Sequence, residues 1–167
     1  VDLLFKLALE LPDVAFLWVG GKPEDVTAWQ ARVDEAGLRN VTLTGFVPKM
    51  KLPLYQAAGD VLLMPYENAI AGSSGGNSAE ICSPMKMFDY LATGRVIITS
   101  DLPVLHEVLN TGNAVFCPPN NVDSWAATIR MLRSDPAQAR MLADQARRDA
   151  LQYSWQNRAK TALEGME

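Results

Sequence analysis

The segment from Ser83 to Asp89 combines residue types that suit phosphate binding. Ser83 is a good helix N-cap, and Pro84 suits the first helical position. The start of a helix presents unpaired N–H groups and about half a positive charge. Lys86 adds a full positive charge in the first turn, where the helix dipole disfavours it unless an anion lies nearby. The spacing therefore predicts a phosphate group at this helix start.

A carboxylate follows on the same helix. Asp89 lies three residues after Lys86 and shares its face. It is about 7–8 Å along the axis from Pro84, at 1.5 Å per residue. That offset suits a carboxylate that holds ribose hydroxyls while a diphosphate occupies the helix end. The spacing also fits a plain surface Lys86–Asp89 pair on an amphipathic helix whose core face is formed by Met85, Phe88 and Leu91.

The rest of the chain alternates between strand and helix patterns. Strands are predicted at 14–19, where the apolar run suggests burial on both faces, and at 41–44, 60–64, 96–99 and 114–116. Helices are predicted near the start, from Leu3, and at 24–36, 52–58, 83–93, 104–109, 122–133, 137–152 and from 154 onward. This alternation predicts an α/β fold, a doubly wound parallel sheet in which residues 1–167 form one domain.

Ligands of such sheets bind beyond the carboxyl ends of the strands. The segments expected there are Gly20-Gly21, Gly45-Phe46-Val47, the loop 67–83 and Ser100-Asp101. The sequence has no G-x-G-x-x-G motif and no P-loop. Dinucleotide binding of the common kind and NTP hydrolysis are therefore disfavoured.

Composition excludes several other classes of protein. The 167 residues carry a net charge of -4 without a block of Lys or Arg, so no nucleic-acid partner is expected. Cys82 and Cys117 are too few for a disulfide scaffold, and His106 alone excludes a His-rich zinc site. No metal site is predicted, since no Asp-x-Asp pair occurs. The start lacks the pattern of a signal peptide, and no apolar run could span a bilayer, which predicts a cytoplasmic protein.

The run SPMKMFDYLATGRVIITSDLPVLHEVL, residues 83–109, resembles the donor-binding segment of GT-B-fold glycosyltransferases of family four. The residues that match or nearly match that family are Ser83, Pro84, Lys86, Phe88, Asp89, Tyr90, Gly94, Ser100, Asp101, Leu102 and Pro103. Flanking segments agree in order, namely 41–47, 52–66 and the stretch from Tyr153 to Ala159. The resemblance implies the Rossmann-like C-terminal half of a GT-B glycosyltransferase.

The resemblance also implies roles for individual residues. Lys86 and Asp89 take the catalytic and donor-holding positions: Lys86 neutralises the diphosphate, and Asp89, where the family usually has Glu, holds the ribose. Ile81 occupies the other acidic position of the family motif, with Glu80 one residue before it. The remaining donor-binding residues implied are Gly20, Gly21, Phe46, Val47, Glu80, Cys82, Ser83 and Pro84.

The function implied is sugar transfer from a nucleotide-diphospho-sugar to an acceptor, retaining and metal-independent, with no cofactor beyond the donor. The first strand and the acceptor-binding half are expected to be missing, so the chain alone is expected to be inactive. Any peripheral membrane association is expected to come from that missing half. The alternatives are a GT-B-fold epimerase or phosphorylase, or a non-catalytic flavodoxin-like binding module.

Overall fold

A computed structural model describes residues 1–67 and 85–154, together with residues 156, 157, 160 and 163. The helices of these residues are α1 (Asp2–Glu10), α2 (Pro23–Glu35), α3 (Leu52–Ala58), α4 (Met85–Thr93), α5 (Val122–Ser134) and α6 (Pro136–Ala150). The strands are β1 (Phe16–Trp18), β2 (Val41–Leu43), β3 (Val61–Met64), β4 (Val96–Ser100) and β5 (Val115–Cys117). Short 3-10 helices cover Lys49–Lys51, Pro103–Glu107 and Leu151–Tyr153.

All pairings between these strands are parallel. β1 pairs with β2, and β4 lies between β3 and β5. Every residue of β4 is buried, and its side chains alternate between two cores. Ile98 packs in one core with residues of α1 and α5, and Ile97 packs in the other with residues of α4. Helices therefore cover both faces of this sheet, which confirms the predicted α/β class.

The first strand departs from its prediction. The apolar run 14–19 suggested a strand buried on both faces, and this is wrong. β1 covers only three residues, and Leu17 and Val19 are 42% and 38% exposed. Phe16 is buried in the core, but successive strand side chains point to opposite faces. Leu17 therefore points to the opposite face of β1, which none of the described helices covers fully.

Two helices also differ in detail. Met85 was expected on the core face of α4 but is 61% exposed, whereas Met87 and Leu91 are buried. These two residues are four apart and so share a face, which places Met85 toward solvent. The predicted helix at 104–109 is a 3-10 helix over Pro103–Glu107. No helix in the described ranges has the length and apolarity needed to cross a membrane.

One polar side chain joins α1 to the first sheet. The amide nitrogen of Asn40 donates to the carbonyl oxygens of Ala8, Leu11 and Val14, each at 3.0 Å. These carbonyls belong to the end of α1 and the turn that follows, where helical partners run out. Asn40 therefore fixes the path of the chain from α1 into β1.

We expect Asn40→Ala to lower the free energy of unfolding by about 1–3 kcal/mol, because several carbonyls lose their donor at once. Urea denaturation of the purified chain measures the change. Gln30→Ala is the matched control. The side-chain amide of Gln30 donates to Asp34 on the exposed side of α2, so this variant removes a surface hydrogen bond. Equal stabilities for the two variants would contradict the role given to Asn40.

Candidate functional site

The loops after β1 and β2 are joined by a backbone bridge and by the Thr44 hydroxyl, which accepts from the Gly20 amide at 3.4 Å. The Gly20 amide donates to the Gly45 carbonyl oxygen at 2.9 Å, and φ is 104° at Gly20 and 65° at Gly45. Gly21 has φ 106°, and a Cβ atom there would lie 3.0 Å from the Val26 side chain. The left-handed conformation favours glycine at all three positions. The bridge brings two of the predicted segments together at the carboxyl ends of their strands.

Phe46 and Val47 follow this bridge with different exposures. Phe46 is 81% exposed, whereas Val47 is buried. The aromatic ring is therefore available to a ligand at the sheet edge. The Val47 side chain packs inward, so a ligand would meet its backbone.

Lys86, in the first turn of α4, lies over an aromatic ring. Its ammonium nitrogen is 4.9 Å from the centroid of the Tyr66 ring, within the range of a cation–π contact. Tyr66 is held by Ser100 at the end of β4. The Tyr66 amide donates to Ser100 Oγ at 2.8 Å, and Ser100 Oγ donates to the Tyr66 carbonyl at 2.7 Å. The ends of β3, β4 and α4 thus position one lysine.

The environment of this lysine weakens its hold on the proton. The Lys86 residue keeps contact with solvent. The protein around its ammonium nevertheless removes part of the hydration, and this desolvation lowers the pKa of Lys86 from the ordinary value of 10.5. A bound anion would reverse the effect, because it stabilises the charged form.

Asp89 does not pair with Lys86. No ion pair joins the two among the contacts of the described residues. Asp89 is exposed and lines a groove of about 370 Å³ between α4 and the segment around α3, with Lys49 on the opposite wall. The surface-pair interpretation is therefore wrong for this conformation, and both side chains are available to a ligand.

Other predicted site residues fall outside this geometry. Glu80, Cys82, Ser83 and Pro84 lie outside the described residues, so the cap of α4 stays a prediction. Cys117 is fully buried beside the Thr128 hydroxyl and packs as a small apolar residue.

Sequence reasoning missed a polar pair after β4. His106 Nε2 lies 2.7 Å from Asp101 Oδ1, and the imidazole stacks on Phe116 at 4.0 Å between ring centroids. The His106 side chain is 45% exposed. The sequence signal for this contact is that Asp101 and His106 are only five residues apart, on either side of the turn into the 3-10 helix Pro103–Glu107. The contact of Tyr66 with Lys86 was also missed, since it joins distant segments.

The described residues thus form two groups at the carboxyl ends of their strands: the bridged glycine loops with Phe46 after β1 and β2, and Lys86 over Tyr66 at the ends of β3 and β4. Residues 3–135 match the family model described as glycosyl transferases group 1. This match covers most of the chain. The chain belongs to the glycosyl transferases group 1 family.

Relatives of this group 1 chain agree with that assignment. A Bacillus subtilis (strain 168) protein named as a teichuronic acid biosynthesis glycosyltransferase, TuaH, is 34% identical over 99 residues, which are 59% of this chain and 22% of TuaH. Anabaena HepE, solved with UDP-glucose, superposes with a TM-score of 0.70 at 17% identity, over 89% of this chain and 40% of HepE. Sucrose-phosphate synthase from Thermosynechococcus elongatus gives 0.71 at 20% identity, over 97% and 42%. The chain therefore spans well under half of these proteins.

Proposed function

We propose that this chain forms the nucleotide-sugar donor site of a glycosyltransferase, which transfers the sugar to an acceptor. The observation that carries the proposal is Lys86, held over Tyr66 at the start of α4 and at the carboxyl ends of β3 and β4. Open parallel sheets bind ligands at this edge. The match to the group 1 family supports the same chemistry.

In this proposal the diphosphate of the donor binds at the start of α4. Lys86 neutralises its charge and so stabilises the nucleotide as it leaves, which is electrostatic catalysis without a metal. Asp89 accepts hydrogen bonds from the ribose hydroxyls, and the base lies against Phe46 and the Gly20–Gly45 bridge. Transfer with retention of configuration is the expected outcome. Uridine is the first base to test, because HepE was solved with UDP-glucose.

We also propose that the acceptor site belongs to a further part of a longer enzyme. The outer edge of β1 and the outer edge of β3 pair with no described strand. One additional parallel strand between them would join the two sheets through backbone hydrogen bonds. The buried Trp18 Nε1 has no hydrogen-bond acceptor among the described residues, and the additional segment would offer it one. The 167-residue chain alone is then expected to transfer no sugar, and measured transfer would overturn this arrangement.

Calorimetric titration with UDP, GDP and ADP tests the donor site. We expect one nucleotide to bind selectively and Asp89→Ala to weaken it about ten- to a hundredfold, since a carboxylate–hydroxyl bond contributes about 1.5–3 kcal/mol. Asp144→Ala, on the exposed surface of α6, is the matched control. The proposal fails if no nucleotide binds, or if Asp89→Ala binds as tightly as the control.

The lowered pKa of Lys86 predicts a pH dependence for nucleotide binding. A bound diphosphate favours the ammonium form, so binding is strongest while Lys86 is charged. Affinity should then fall as the pH rises from 7 toward 10, and the fall should begin below the ordinary lysine pKa of 10.5. Lys86→Arg should remove this fall, because a guanidinium stays charged. Calorimetry across this range checks the prediction, and parallel profiles for the two proteins would contradict it.

A further inference from the structure

The outward face of the segment from Lys49 to Ala58 is apolar and exposed. The 3-10 turn Lys49–Lys51 runs directly into α3, so the segment is one continuous helical stretch. At about 100° per residue, its outward side collects only apolar residues. Every one of them is exposed: Met50, Pro53, Leu54, Ala57 and Ala58. A surface helix normally turns polar residues to water, so this outward face is unusual.

Basic groups border the outward face. In the 3-10 turn, Lys49 and Lys51 are each about 120° from Met50, one on either side. At the far end, the Arg95 guanidinium donates to the Ala57 carbonyl oxygen at 2.7 Å. From Phe46 to Gly59 the sequence contains no Asp or Glu, although the whole chain has a net charge of -4. Asp60 follows the segment in the sequence, and Asp89 lies across the groove.

We propose that this outward face docks on the surface of an anionic lipid bilayer. An apolar strip flanked by lysines is the arrangement of a helix that lies in the membrane interface. Met50 and Leu54, which are 92% and 70% exposed, would enter the boundary of headgroups and acyl chains. The lysine stems would lie along the apolar surface, with their ammonium groups among the anionic headgroups.

The residues of the face favour a bilayer over a folded protein as the partner. Protein interfaces are centred on aromatic and arginine anchors that fill pockets. The aromatic residue of α3, Tyr55, is half-buried on the inner side of the helix, and the outward residues are all aliphatic, with neither an aromatic ring nor an arginine among them. Such side chains suit a fluid surface that needs no shape complementarity. The positive border complements acidic lipids directly.

Binding is expected to be weak and reversible, because the face is short. Each basic residue near an acidic membrane strengthens binding about fivefold. The attraction should also weaken with salt, since the charges are exposed to solvent. Lys49, Pro53 and Ala57 also line the groove that contains Asp89, but Met50, Lys51 and Leu54 are not among its lining residues, so the variants tested below leave the proposed donor groove unchanged.

Co-sedimentation of the purified 167-residue chain with lipid vesicles tests the proposal. We expect binding to mixed phosphatidylglycerol–phosphatidylcholine vesicles and much weaker binding to pure phosphatidylcholine. Lys51→Glu should weaken binding by about fivefold or more, and the double variant Met50→Ser, Leu54→Ser should weaken it further. The matched controls are Lys6→Glu on α1 and Met141→Ser, a methionine of α6 that is 61% exposed.

Circular dichroism of each variant verifies that it is folded. Lys51→Gln replaces Lys51→Glu if the charge reversal prevents folding. The proposal is overturned if the acidic vesicles bind no more protein than the neutral ones. It is also overturned if Lys51→Glu and Lys6→Glu bind alike. A UDP titration of the same samples reports on the donor site separately.

Discussion

Replacing Lys86 with alanine is expected to weaken UDP binding roughly ten- to a hundredfold, because hydrogen bonds to charged groups contribute about 1.5–3 kcal/mol. Lys86 is the cation that the structure holds at the start of α4, over Tyr66. Its desolvated ammonium also recovers a counter-charge when the diphosphate binds. Isothermal titration calorimetry of the purified variant gives the affinity directly.

Two further variants separate charge from position. Lys86→Arg should keep most of the affinity, and Tyr66→Leu should lose part of it, since the ring that supports the ammonium is gone. Lys6→Ala, on the exposed surface of α1, is the control for a simple loss of positive charge. If Lys86→Ala and Lys6→Ala bind UDP alike, the diphosphate is not at this helix end.

The largest effect on stability is expected at Trp125 of α5. This side chain is fully buried in the core shared with Leu7, Phe16 and Ile98, and its indole donates to the Pro118 carbonyl oxygen at 3.1 Å. Trp125→Ala should lower the free energy of unfolding by about 3–5 kcal/mol, because it opens a large cavity. The Pro118 carbonyl also loses its donor.

Urea denaturation measures this loss, and Trp125→Phe is the informative comparison. It keeps an aromatic ring and should recover much of the stability, although the bond to Pro118 is still missing. Because domains are stable by only about 5–15 kcal/mol, the alanine variant is expected to unfold at much lower urea. An unchanged midpoint would show that Trp125 is not central to this core.

The order of helices and strands could be predicted from local patterns. Gly94 separates the apolar stripe of α4 from the continuous apolar run of β4, and both elements lie where the sequence placed them. The predicted ends were less accurate. The run 14–19 became a three-residue strand with an exposed Leu17, because exposure depends on what covers a face, and a local pattern does not contain that information.

The candidate site shows the same division. Lys86 and Asp89 could be singled out from their types and their spacing on one helix. Their surroundings could not, since they come from other segments. The backbone of Tyr66, whose ring lies under Lys86, is held by Ser100, 34 residues further along the chain. The position of Asp89 in a groove opposite Lys49 depends on how α3 packs against α4.

The bridge between Gly20 and Gly45 leaves the neighbouring side chains free to diverge. The two loops are joined through main-chain atoms and the Thr44 hydroxyl, so their spacing does not depend on the side chain at position 46. Phe46, immediately after Gly45, makes the exposed part of that edge. If the proposed donor site is correct, exchanging residue 46 would change the surface offered to the base while the bridge that fixes the two loops stays as it is.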